Sequence, residues 1–407
     1  MKLLQLQANT IQELYNRNFF YRRQSTVSKV SRIVDDIRLH GDTAVLKYTR
    51  RFDRIKMTAK DLRVSESEIS SSFQDISSDF ISTLKFAINN VTTFYKKQIK
   101  KPVCIKSADG IVLKEEYYPV DSVGVYIPAG TAPLVSSVYM TVIPARIAGV
   151  RRVVIATPPG KDGRVNPHIL AVANLLNVNE VYKVGGAQAV AALAFGTKTI
   201  PRVDKIVGPG NSYVTEAKRQ LFGYVDIDML AGPTELVVIA NRYSNPEYVI
   251  ADLESQLEHS GGLSILISTS KGLIRQVKNR VQGGYVIYAK NMEEACDIAN
   301  KIAPEHLQIM TNDPRSVARM IRNAGAIFLG PFSPTPLGDY IAGPSHVLPT
   351  LGTAKFSSGL SLSDFMKTSH IISYSRKALE KVREPLEKVA LIEGLVKHAE
   401  SVNIRFR

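Results

Sequence analysis

The stretch Val203-Asp-Lys-Ile-Val207-Gly-Pro-Gly-Asn211-Ser-Tyr-Val-Thr-Glu216 predicts a β-strand, a tight glycine loop and the start of a helix. Asn211 or Ser212 is the expected N-cap of that helix. Such a turn presents free backbone N–H groups and the positive end of a helix dipole to an anion, such as a phosphate or a carboxylate. Val184-Gly-Gly-Ala-Gln188 has the same form. Neither segment has the Gly-x-Gly-x-x-Gly spacing of a dinucleotide fingerprint, so each also fits an ordinary tight turn.

Strand and helix patterns alternate over the part of the chain that contains both glycine loops. Short apolar runs rich in β-branched residues predict strands at 153–156, 180–184, 204–207, 235–240, 263–267, 285–288, 306–310 and 326–329. Helices are expected to begin near Pro133, Asn166, Gln188 and Asn211. Such alternation indicates parallel sheets covered by helices on both faces, so the predicted fold class is α/β.

The two ends of the chain have a different pattern. Apolar residues at helical spacing predict a helical layer from Asn9 to about Lys101. A hairpin is expected next, in which Val103-Cys-Ile105 and Ile111-Val-Leu113 are joined by a turn at Asp109-Gly110. From Ser361 onward helical spacing returns, and the C-terminal segment is therefore expected to be helical.

Composition excludes several classes of protein. The chain has 407 residues, which is more than one hydrophobic core usually serves, and 44% of them are hydrophobic. It contains no apolar run of the roughly 18 residues that span a bilayer, and its start is interrupted by glutamines, so we expect a cytoplasmic protein without membrane contact. With only Cys104 and Cys296, it has no disulfide framework and no cysteine-based zinc site.

The formal net charge of +15 raises nucleic acid or an anionic ligand as a partner. The basic residues are scattered, with only short clusters such as 96–101 and Arg151-Arg152, and no nucleic-acid-binding motif accompanies them. A solvated basic surface is the simpler interpretation. We therefore expect no nucleic-acid partner.

Histidines, an amide and carboxylates mark a candidate metal site. Gln256 and His259 lie three residues apart on the last turn of a helix that is expected to begin at Pro246. Both side chains can bind a metal, although a histidine at this position also commonly caps helix carbonyls. Imidazole with carboxylate and amide oxygen suits Zn²⁺, or else Mn²⁺ or Fe²⁺. Three further histidines have an acidic residue nearby in sequence: His306 with Glu305, His346 with Asp339, and His398 with Glu393.

Glu305 and His306 are candidates for acid–base chemistry. They stand where a helix gives way to the strand at 306–310, and the carboxyl ends of helices and the mouths of strands are where α/β sites gather. The carboxylate can activate water, and the imidazole can accept a hydroxyl proton near neutral pH. A solvated glutamate beside a capping histidine is the alternative interpretation.

Eight ordered motifs run along most of the chain. They are Tyr126-Ile-Pro-Ala-Gly130-Thr-Ala-Pro133, Val184-Gly-Gly-Ala-Gln188-Ala, Gly208-Pro-Gly-Asn211 through Thr215-Glu-Ala-Lys218, Ala231-Gly-Pro-Thr234-Glu235, Ser255-Gln256-Leu-Glu-His259, Ala303-Pro-Glu305-His306-Leu, Gly338-Asp339-Tyr340 with Ser345-His346-Val-Leu-Pro349, and Glu393-Gly-Leu395 with His398. Together they resemble the histidinol dehydrogenase family, the NAD-dependent, zinc-containing enzymes of histidine biosynthesis. The upstream segments His40-Gly-Asp42 and Tyr48-Thr-Arg-Arg-Phe-Asp53 are similar to the N-terminal region of that family.

The resemblance implies a set of site residues. The ligands of one Zn²⁺ per subunit would be Gln256, His259, Asp339 and His398, with His398 supplied by the partner subunit of a homodimer that shares its active sites. The catalytic pair would be Glu305 and His306. The contacts to NAD would come from Tyr126, Gln188 and Asn211. The contacts to the substrate L-histidinol would come from Thr234, His346 and Glu393, together with His306 and the four metal ligands.

The resemblance also implies a domain organisation of two incomplete Rossmann-like domains with parallel sheets, plus helical N-terminal and C-terminal segments. We expect an N-terminal helical segment at 1–25 and a first, discontinuous domain formed by 26–125 and 239–360. A second domain would cover 126–238. A C-terminal helical tail at 361–407 would contribute to the partner's site.

Two departures from the family pattern lie near the expected site. The turn Ser260-Gly261-Gly262 after His259 is shorter than the Pro-Asp-containing turn usual in the family. Thr234 stands where serine is common, which keeps the hydroxyl and adds a methyl group. Neither departure removes a catalytic residue.

The implied reaction is the NAD-dependent, four-electron oxidation of L-histidinol to L-histidine through histidinaldehyde. Cys104 and Cys296 look like packed strand and helix residues, so we expect the aldehyde to be hydrated rather than bound to a thiolate. Glu305 would activate that water, and His306 would accept the alcohol proton in the first step. Zinc would mainly orient the substrate.

Two alternative functions belong to other classes of substrate or protein. The first is a related zinc and NAD enzyme that acts on another small polyol or amino alcohol, although His346 and Glu393 favour a cationic or imidazole-bearing substrate. The second is a basic nucleic-acid-binding or metal-storage protein, which would not need an acid–base pair and would bind polynucleotide with a steep salt dependence.

Overall fold

The computed structural model describes residues 1–4, 9–17, 24–129, 132–259 and 261–407. The motif residues Gly130, Thr131 and Ser260 lie outside the described residues. The chain divides into two compact units. The first consists of Met1–Gln98 and Val120–Phe365, and the second consists of Ile99–Pro119 and Met366–Arg407.

Strands and helices alternate through the middle of the chain. The described strands are β1 (Lys2–Leu4), β2 (Val103–Lys106), β3 (Ile111–Pro119), β4 (Ser122–Tyr126), β5 (Arg152–Thr157), β6 (Glu180–Lys183), β7 (Lys205–Val207), β8 (Asp226–Ile227), β9 (Glu235–Ala240), β10 (Leu263–Ser268), β11 (Tyr285–Tyr288), β12 (His306–Met310), β13 (Ala326–Leu329) and β14 (Met366–Tyr374). The described α-helices are Asn9–Tyr15, Gln24–His40, Asp42–Phe52, Glu66–Ser71, Ser78–Lys96, Val135–Ala148, Pro167–Leu175, Gly186–Phe195, Ser212–Leu221, Pro246–Leu257, Lys271–Lys278, Met292–Ile302, Pro314–Ala318, Thr335–Tyr340, Arg376–Ile392 and Val396–Asn403. Short 3-10 helices are Ala59–Leu62, Ser72–Asp75, Thr353–Lys355, Leu362–Phe365 and Ile404–Phe406.

The first unit contains a six-stranded parallel sheet in the order β1-β11-β10-β9-β12-β13. All six residues of β9 are buried, and the last five are apolar, which is typical of a parallel strand covered on both faces. Successive side chains of β9 point to opposite faces. Leu236 and Val238 therefore pack with the helices Pro246–Leu257 and Lys271–Lys278, while Val237 packs with Met292–Ile302.

The same unit contains a five-stranded parallel sheet in the order β6-β5-β4-β7-β8. Its core is shared with the helices Gln24–His40, Gly186–Phe195 and Ser212–Leu221. The alanine-rich helix Gly186–Phe195 is buried almost all round, as its uniformly apolar composition requires. The α/β fold class with parallel sheets is thus confirmed.

The second unit is built on a three-stranded antiparallel sheet in the order β14-β3-β2. β2 and β3 form the predicted hairpin, and Gly110 takes a φ of +86° in the turn between them. β14 pairs with β3 along nine residues, from Met366 opposite Pro119 to Tyr374 opposite Ile111. The helices Arg376–Ile392 and Val396–Asn403 complete this unit.

Two end segments differ from the prediction that they are helical. The tail is not helical from Ser361 onward, because it contains β14. The conformation of this segment is set by its long ladder of hydrogen bonds to β3, and the local spacing of its apolar residues does not reveal that ladder. β1 adds a short strand to the segment 1–25. Cys104, expected to be packed, is exposed on β2.

The predicted domain boundaries are kept as a proposal. Those boundaries assign the segment 26–125 to the first domain, together with 239–360. Apolar residues between Val30 and Leu62 nevertheless pack in the core of the five-stranded sheet, whose strands belong to the proposed second domain. Within the described ranges, we find no helix that combines the length and the apolar composition needed to cross a bilayer.

Candidate active site

The candidate acid–base pair lies between two neighbouring strands of the six-stranded sheet. Glu305 immediately precedes β12 and His306 begins it, while Glu235 begins β9, so that His306 lies opposite Leu236. The pair is therefore at the amino ends of these strands, where the helix Met292–Ile302 gives way to β12, as predicted. The chain reaches this point through Ala303, which ends the preceding helix in the left-handed region at a φ of +50°.

The carboxyl group of Glu305 is buried, with 7% of the residue exposed. Its Oε2 accepts a hydrogen bond from the backbone N–H of Glu235 at 2.9 Å, and the hydroxyl of Thr234 also donates to the carboxylate. Burial raises the pKa of Glu305 to about 7, although His306 and these two hydrogen bonds act in the opposite direction. A carboxyl group in this range can exchange a proton near neutral pH.

The imidazole of His306 is fixed by hydrogen bonding on one side. Its Nδ1 donates to the backbone carbonyl of Glu235 at 3.1 Å and lies 3.5 Å from Oε2 of Glu305. Its Nε2 lies 3.6 Å from Oδ1 of Asp339. Burial alone lowers the pKa of His306, but the carboxylates of Glu305 and Asp339 outweigh it and raise the pKa. Because Nδ1 is occupied, Nε2 is the nitrogen available for proton transfer.

Asp339 also orients a second histidine. Nδ1 of His346 donates to the backbone carbonyl of Asp339 at 2.8 Å, so Nε2 of His346 carries the lone pair that faces the hydroxyl of Ser137 at 3.2 Å. Burial lowers the pKa of His346, which favours the neutral imidazole. His306 and His346 line one cavity of about 620 Å³ with apolar side chains such as Phe328. This cavity can hold a small molecule beside the acid–base pair.

Gln256 and His259 lie at the end of the helix Pro246–Leu257, as predicted. Gln256 is buried, and its side-chain Nε2 has no hydrogen-bond partner, whereas His259 is exposed. A Cβ at Gly262 would lie 2.4 Å from the carbonyl oxygen of Gln256, so the turn after His259 requires glycine there. In the part of the chain that the structure describes, no group of three or more His, Cys, Asp or Glu side chains is placed to hold a metal. The four-ligand set stays a prediction.

Tyr126, Gln188 and Asn211 line a second cavity, of about 790 Å³, at the carboxyl edge of the five-stranded sheet. Tyr126 ends β4, and its hydroxyl accepts from the backbone N–H of Gly186 at 3.0 Å. Gln188 is buried, and its Oε1 has no hydrogen-bond partner. A buried amide oxygen that is unpaired beside a cavity can accept a hydrogen bond from a ligand.

Asn211 caps the helix Ser212–Leu221. Its Oδ1 accepts from the backbone N–H groups of Tyr213 and Val214 at 3.0 and 3.1 Å. This confirms the predicted N-cap and leaves the side-chain Nδ2 of Asn211 as the group that can contact a ligand.

The glycine loop before this helix is held by a buried ion pair. Nζ of Lys218 donates to the carbonyl of Gly208 at 2.5 Å and to Oδ1 of Asp228 at 2.6 Å, and Oδ2 of Asp228 accepts from the N–H of Gly208 at 2.7 Å. Gly208 has a φ of +113°, and a Cβ there would lie 2.2 Å from the carbonyl oxygen of Tyr126. The loop therefore depends on glycine both for its conformation and for its close approach to β4.

Asp53 also lines this second cavity, but we assigned it no role from the sequence. Its Oδ2 is buried without a hydrogen-bond partner, and burial raises the pKa of Asp53 to about 6. Lys29, Arg32 and Arg51 line the same cavity and provide positive charge for an anionic ligand. In the sequence, Asp53 belongs to the segment 48–53, which is similar to the N-terminal region of the family. The local spacing of residues does not show that Asp53 is partly buried beside a cavity.

Glu393 and His398 lie in the second unit. Both are exposed, and both line a groove with apolar side chains that include Val389 and Val402. Their assignment to the site of a partner subunit stays a prediction.

Two parallel sheets, a buried carboxyl–imidazole pair and a separate cavity bordered by glycine loops define an α/β enzyme with acid–base chemistry. The family model of histidinol dehydrogenase matches residues 20–406. The histidinol dehydrogenase of Clostridium acetobutylicum is 46% identical, over 94% of this chain and 92% of the relative, and that of Listeria monocytogenes is 43% identical, over 100% and 99%. The crystal structure of histidinol dehydrogenase from Elizabethkingia anophelis matches with a TM-score of 0.93 and 35% identity, over 100% of this chain and 97% of the other.

The chain belongs to the histidinol dehydrogenase family. The resemblance drawn from the eight motifs is thereby confirmed. The protein is an oxidoreductase that acts on a CH–OH group, and its family performs the final oxidation of histidine biosynthesis.

Proposed function

We propose that this protein oxidises L-histidinol to L-histidine through histidinaldehyde in the cytoplasm, with NAD⁺ as the oxidant. Over the whole reaction, one histidinol, two NAD⁺ and one water give one histidine carboxylate, two NADH and three protons. The observation that carries the proposal is the buried constellation of Glu305, His306 and Asp339 in a member of this family. It combines two proton-transfer groups with a carboxylate that can bind a cation.

The proposed Zn²⁺ site consists of Gln256, His259 and Asp339, together with His398 of the partner subunit. These donors are oxygen and imidazole nitrogen, which suit zinc. The fit is supported by the position of Gln256 and His259, which lie three residues apart at the end of one helix, so that an amide oxygen and an imidazole nitrogen can reach one ion. When bound, the metal would hold the imidazole and the amine of histidinol and so fix the position of the reacting carbon.

The cavity lined by Tyr126, Gln188 and Asn211 supports NAD⁺ as the second ligand. The unpaired Oε1 of Gln188 and the basic side chains around the cavity fit the polar and anionic parts of a dinucleotide. Bound there, NAD⁺ would accept one hydride in each oxidation. Gly208 lets its loop approach β4 closely, and this loop leads to Asn211 at the amino end of the helix Ser212–Leu221 beside the cavity.

His306 would accept the hydroxyl proton of the alcohol through Nε2, since its Nδ1 is held by the carbonyl of Glu235. The pKa of His306 is raised, so the neutral imidazole that this step requires becomes more abundant as the pH increases. Glu305 would then take a proton from water as that water adds to the aldehyde carbon. His306 would return its proton to the aldehyde oxygen, which completes the gem-diol. In the second oxidation the carbon-bound hydrogen of the gem-diol would leave as hydride to NAD⁺, and one hydroxyl proton would pass to His306.

A thiohemiacetal route through cysteine is disfavoured by the surroundings of Cys296. Its side chain lies in the apolar core of the six-stranded sheet, and burial raises the pKa of its thiol to about 11. Cys104 belongs to the second unit. The hydrated aldehyde therefore remains our proposal.

The deciding experiment joins metal analysis with an assay of NAD⁺ reduction. We expect one zinc per subunit and two NADH for each histidinol consumed, with histidine as the product. His259→Asn should lose the metal and the activity together, while replacement of the exposed His370 by Asn should change neither. A metal-free protein with full activity would refute the zinc assignment. Inactivity on histidinol with turnover of another amino alcohol or a sulfonated diol would identify a related activity instead.

We further propose a homodimer with shared active sites. Large apolar side chains of the second unit are exposed, including Ile372 at 70%, Ile392 at 87% and Ile404 at 62%. Exposed apolar groups of this kind support a covered surface in an assembly. Light scattering on the purified protein should give twice the mass of the chain.

A further inference from the structure

An arginine that the proposed function does not use lies directly behind the acid–base pair. Arg17 follows the helix Asn9–Tyr15, and only 10% of its side chain is exposed. Its Nε and Nη2 each donate to one carboxylate oxygen of Glu235 at 2.5 Å. Its Nη1 donates to the carbonyls of Leu14 and Ile302, both at 2.7 Å. The guanidinium is therefore held by one bidentate ion pair and two backbone groups.

Glu235 connects this arginine to both members of the acid–base pair. Its backbone N–H donates to Oε2 of Glu305 at 2.9 Å, and its backbone carbonyl accepts from Nδ1 of His306 at 3.1 Å. Its side-chain Oε1 also accepts from the N–H of Leu351 at 3.0 Å. One residue thus orients two reacting side chains through its peptide groups, while Arg17 and Leu351 hold its carboxylate.

The same guanidinium reaches both chain segments that carry the pair. Through Glu235 it holds the start of β9, and through the carbonyl of Ile302 it holds the end of the helix that leads to Glu305. Ala303 follows Ile302 in the left-handed conformation, so the direction of the chain into β12 is set at this point. A displacement here would move Glu305 and His306 together.

We propose that Arg17 and Glu235 are positioning residues of the oxidation reaction. Their ion pair fixes the peptide groups that orient Glu305 and His306, and neither residue exchanges a proton with the substrate. The inference rests on the proposed function, since it requires that the acid–base pair perform the reaction. A reacting group displaced by about 1 Å can lose about a hundredfold in rate, so a support of this kind affects turnover more than substrate binding.

The test must separate positioning from simple stabilisation. Removing one member of a buried ion pair leaves an unpaired charge and destabilises the fold strongly, so single charge deletions are uninformative. The double variant Arg17→Met with Glu235→Gln removes both charges and keeps an acceptor for the N–H of Leu351. Arg17→Lys keeps the positive charge but cannot form the bidentate ion pair with Glu235.

The control is the pair of Arg152 and Glu180, which has the same bidentate geometry at 2.9 and 2.7 Å but is more exposed and lies at the start of β5 and β6. Arg152→Met with Glu180→Gln should leave kcat for histidinol unchanged. For the double variant at Arg17 and Glu235 we expect a melting temperature near that of the wild type. We also expect a kcat per folded enzyme at least about tenfold lower, and a KM for histidinol changed less than about threefold.

Each outcome is informative. A folded double variant with wild-type kcat would show that the ion pair only stabilises the protein, and it would overturn the inference. If the double variant does not fold, Arg17→Lys decides: a lowered kcat at unchanged KM supports positioning, and an unchanged kcat overturns it. A wild-type enzyme inactive on histidinol would instead contradict the proposed function, which separates the two failures.

Discussion

At the scale of single residues, the site is marked by buried polar atoms that have no partner within the protein. Oε1 of Gln188, Nε2 of Gln256 and Oδ2 of Asp53 are buried without hydrogen bonds. Each such group costs about 1 to 3 kcal/mol of folding free energy unless something pairs with it. Two of the three residues belong to the predicted binding set, and the third lines the same cavity as Gln188. Five further atoms of the described residues are also buried without a partner, on Thr49, Thr157, Gln308, Thr311 and Thr335. An unpaired buried atom therefore supports a binding role only where its residue also lines a cavity, as Gln188 and Asp53 do.

Replacing Glu305 by Gln tests the division of labour between the two oxidations. The amide keeps the shape and can still accept from the N–H of Glu235, but it cannot take a proton from water. We expect the oxidation of histidinaldehyde to slow by about a hundredfold or more, and the first oxidation of histidinol to slow less. Single-turnover measurements with each substrate separate the two. Equal losses would argue against Glu305 as the group that activates water, and Glu254→Gln, at an exposed carboxylate, serves as the control.

Asp53→Asn should raise the stability of the protein at neutral pH, and it tests whether the carboxylate takes part in NAD⁺ binding. The folded-state pKa of Asp53 is about 6, above the ordinary value of 3.8, so its ionised form is disfavoured in the folded protein. The destabilisation is complete above pH 6 and disappears as the pH falls below about 4. Because the residue is partly exposed, we expect a gain of about 1 kcal/mol at pH 7 and none at pH 4. Urea unfolding at both pH values, with the KM for NAD⁺, checks both parts; no gain at pH 7 would contradict the assigned cause.

At the scale of elements, most strands of the two parallel sheets were predictable, whereas β1, β4, β8 and the antiparallel strand β14 were not. The predicted strands at 235–240, 285–288, 306–310 and 326–329 have the same bounds in the structure. They are short and mostly apolar, and β9 and β12 are buried along their whole length, so local composition reports their environment directly, whereas β13 at the sheet edge is partly exposed. β14 is exposed and mixes lysine, serine and histidine with isoleucine, and only its ladder to β3 makes it a strand.

The same contrast applies to the candidate site. Glu305, His306 and Asp339 were found because their motifs are local in sequence, and the structure brings these three side chains together. Arg17 was not found, because a lone arginine in a polar stretch carries no local signal. Its ion pair with Glu235 joins two residues that are 218 positions apart in the sequence.

The glycine loop before the helix Ser212–Leu221 gives a prediction that belongs to this scale. Gly208→Ala would place a Cβ 2.2 Å from the carbonyl oxygen of Tyr126, at a φ of +113°. Gly223 has a similar φ of +104° but nothing within 4 Å of an added Cβ, so Gly223→Ala measures the conformational cost alone. We expect Gly208→Ala to lower the free energy of unfolding by at least about 2 kcal/mol more than the control, with a raised KM for NAD⁺ in any folded fraction. Equal losses would show that the close approach to β4 is not needed.

At the scale of the whole molecule, the proposed reaction needs residues from both compact units of the chain. The acid–base pair and both cavities described above lie in the first unit, whereas Glu393 and His398 lie exposed in the second. We propose no separate activity for the net charge of +15. Basic side chains around the cavity proposed for NAD⁺ account for part of this charge, and scattered surface residues account for the rest. The assignment of His398 to a partner subunit is the part that a functional assay can decide.

Mixing two inactive variants tests whether the active sites are shared between subunits. His259→Asn and His398→Asn should each be inactive as homodimers, because each removes one proposed metal ligand from every site. If His398 serves the partner's site, a mixed dimer has one site with both defects and one site with none. Random reassociation would then restore about a quarter of the wild-type activity, with metal retained in the same proportion. The control mixes His259→Asn with Asp339→Asn. Because both of these ligands are expected from the same subunit, this mixture should restore no activity. If neither mixture is active, each subunit uses its own His398.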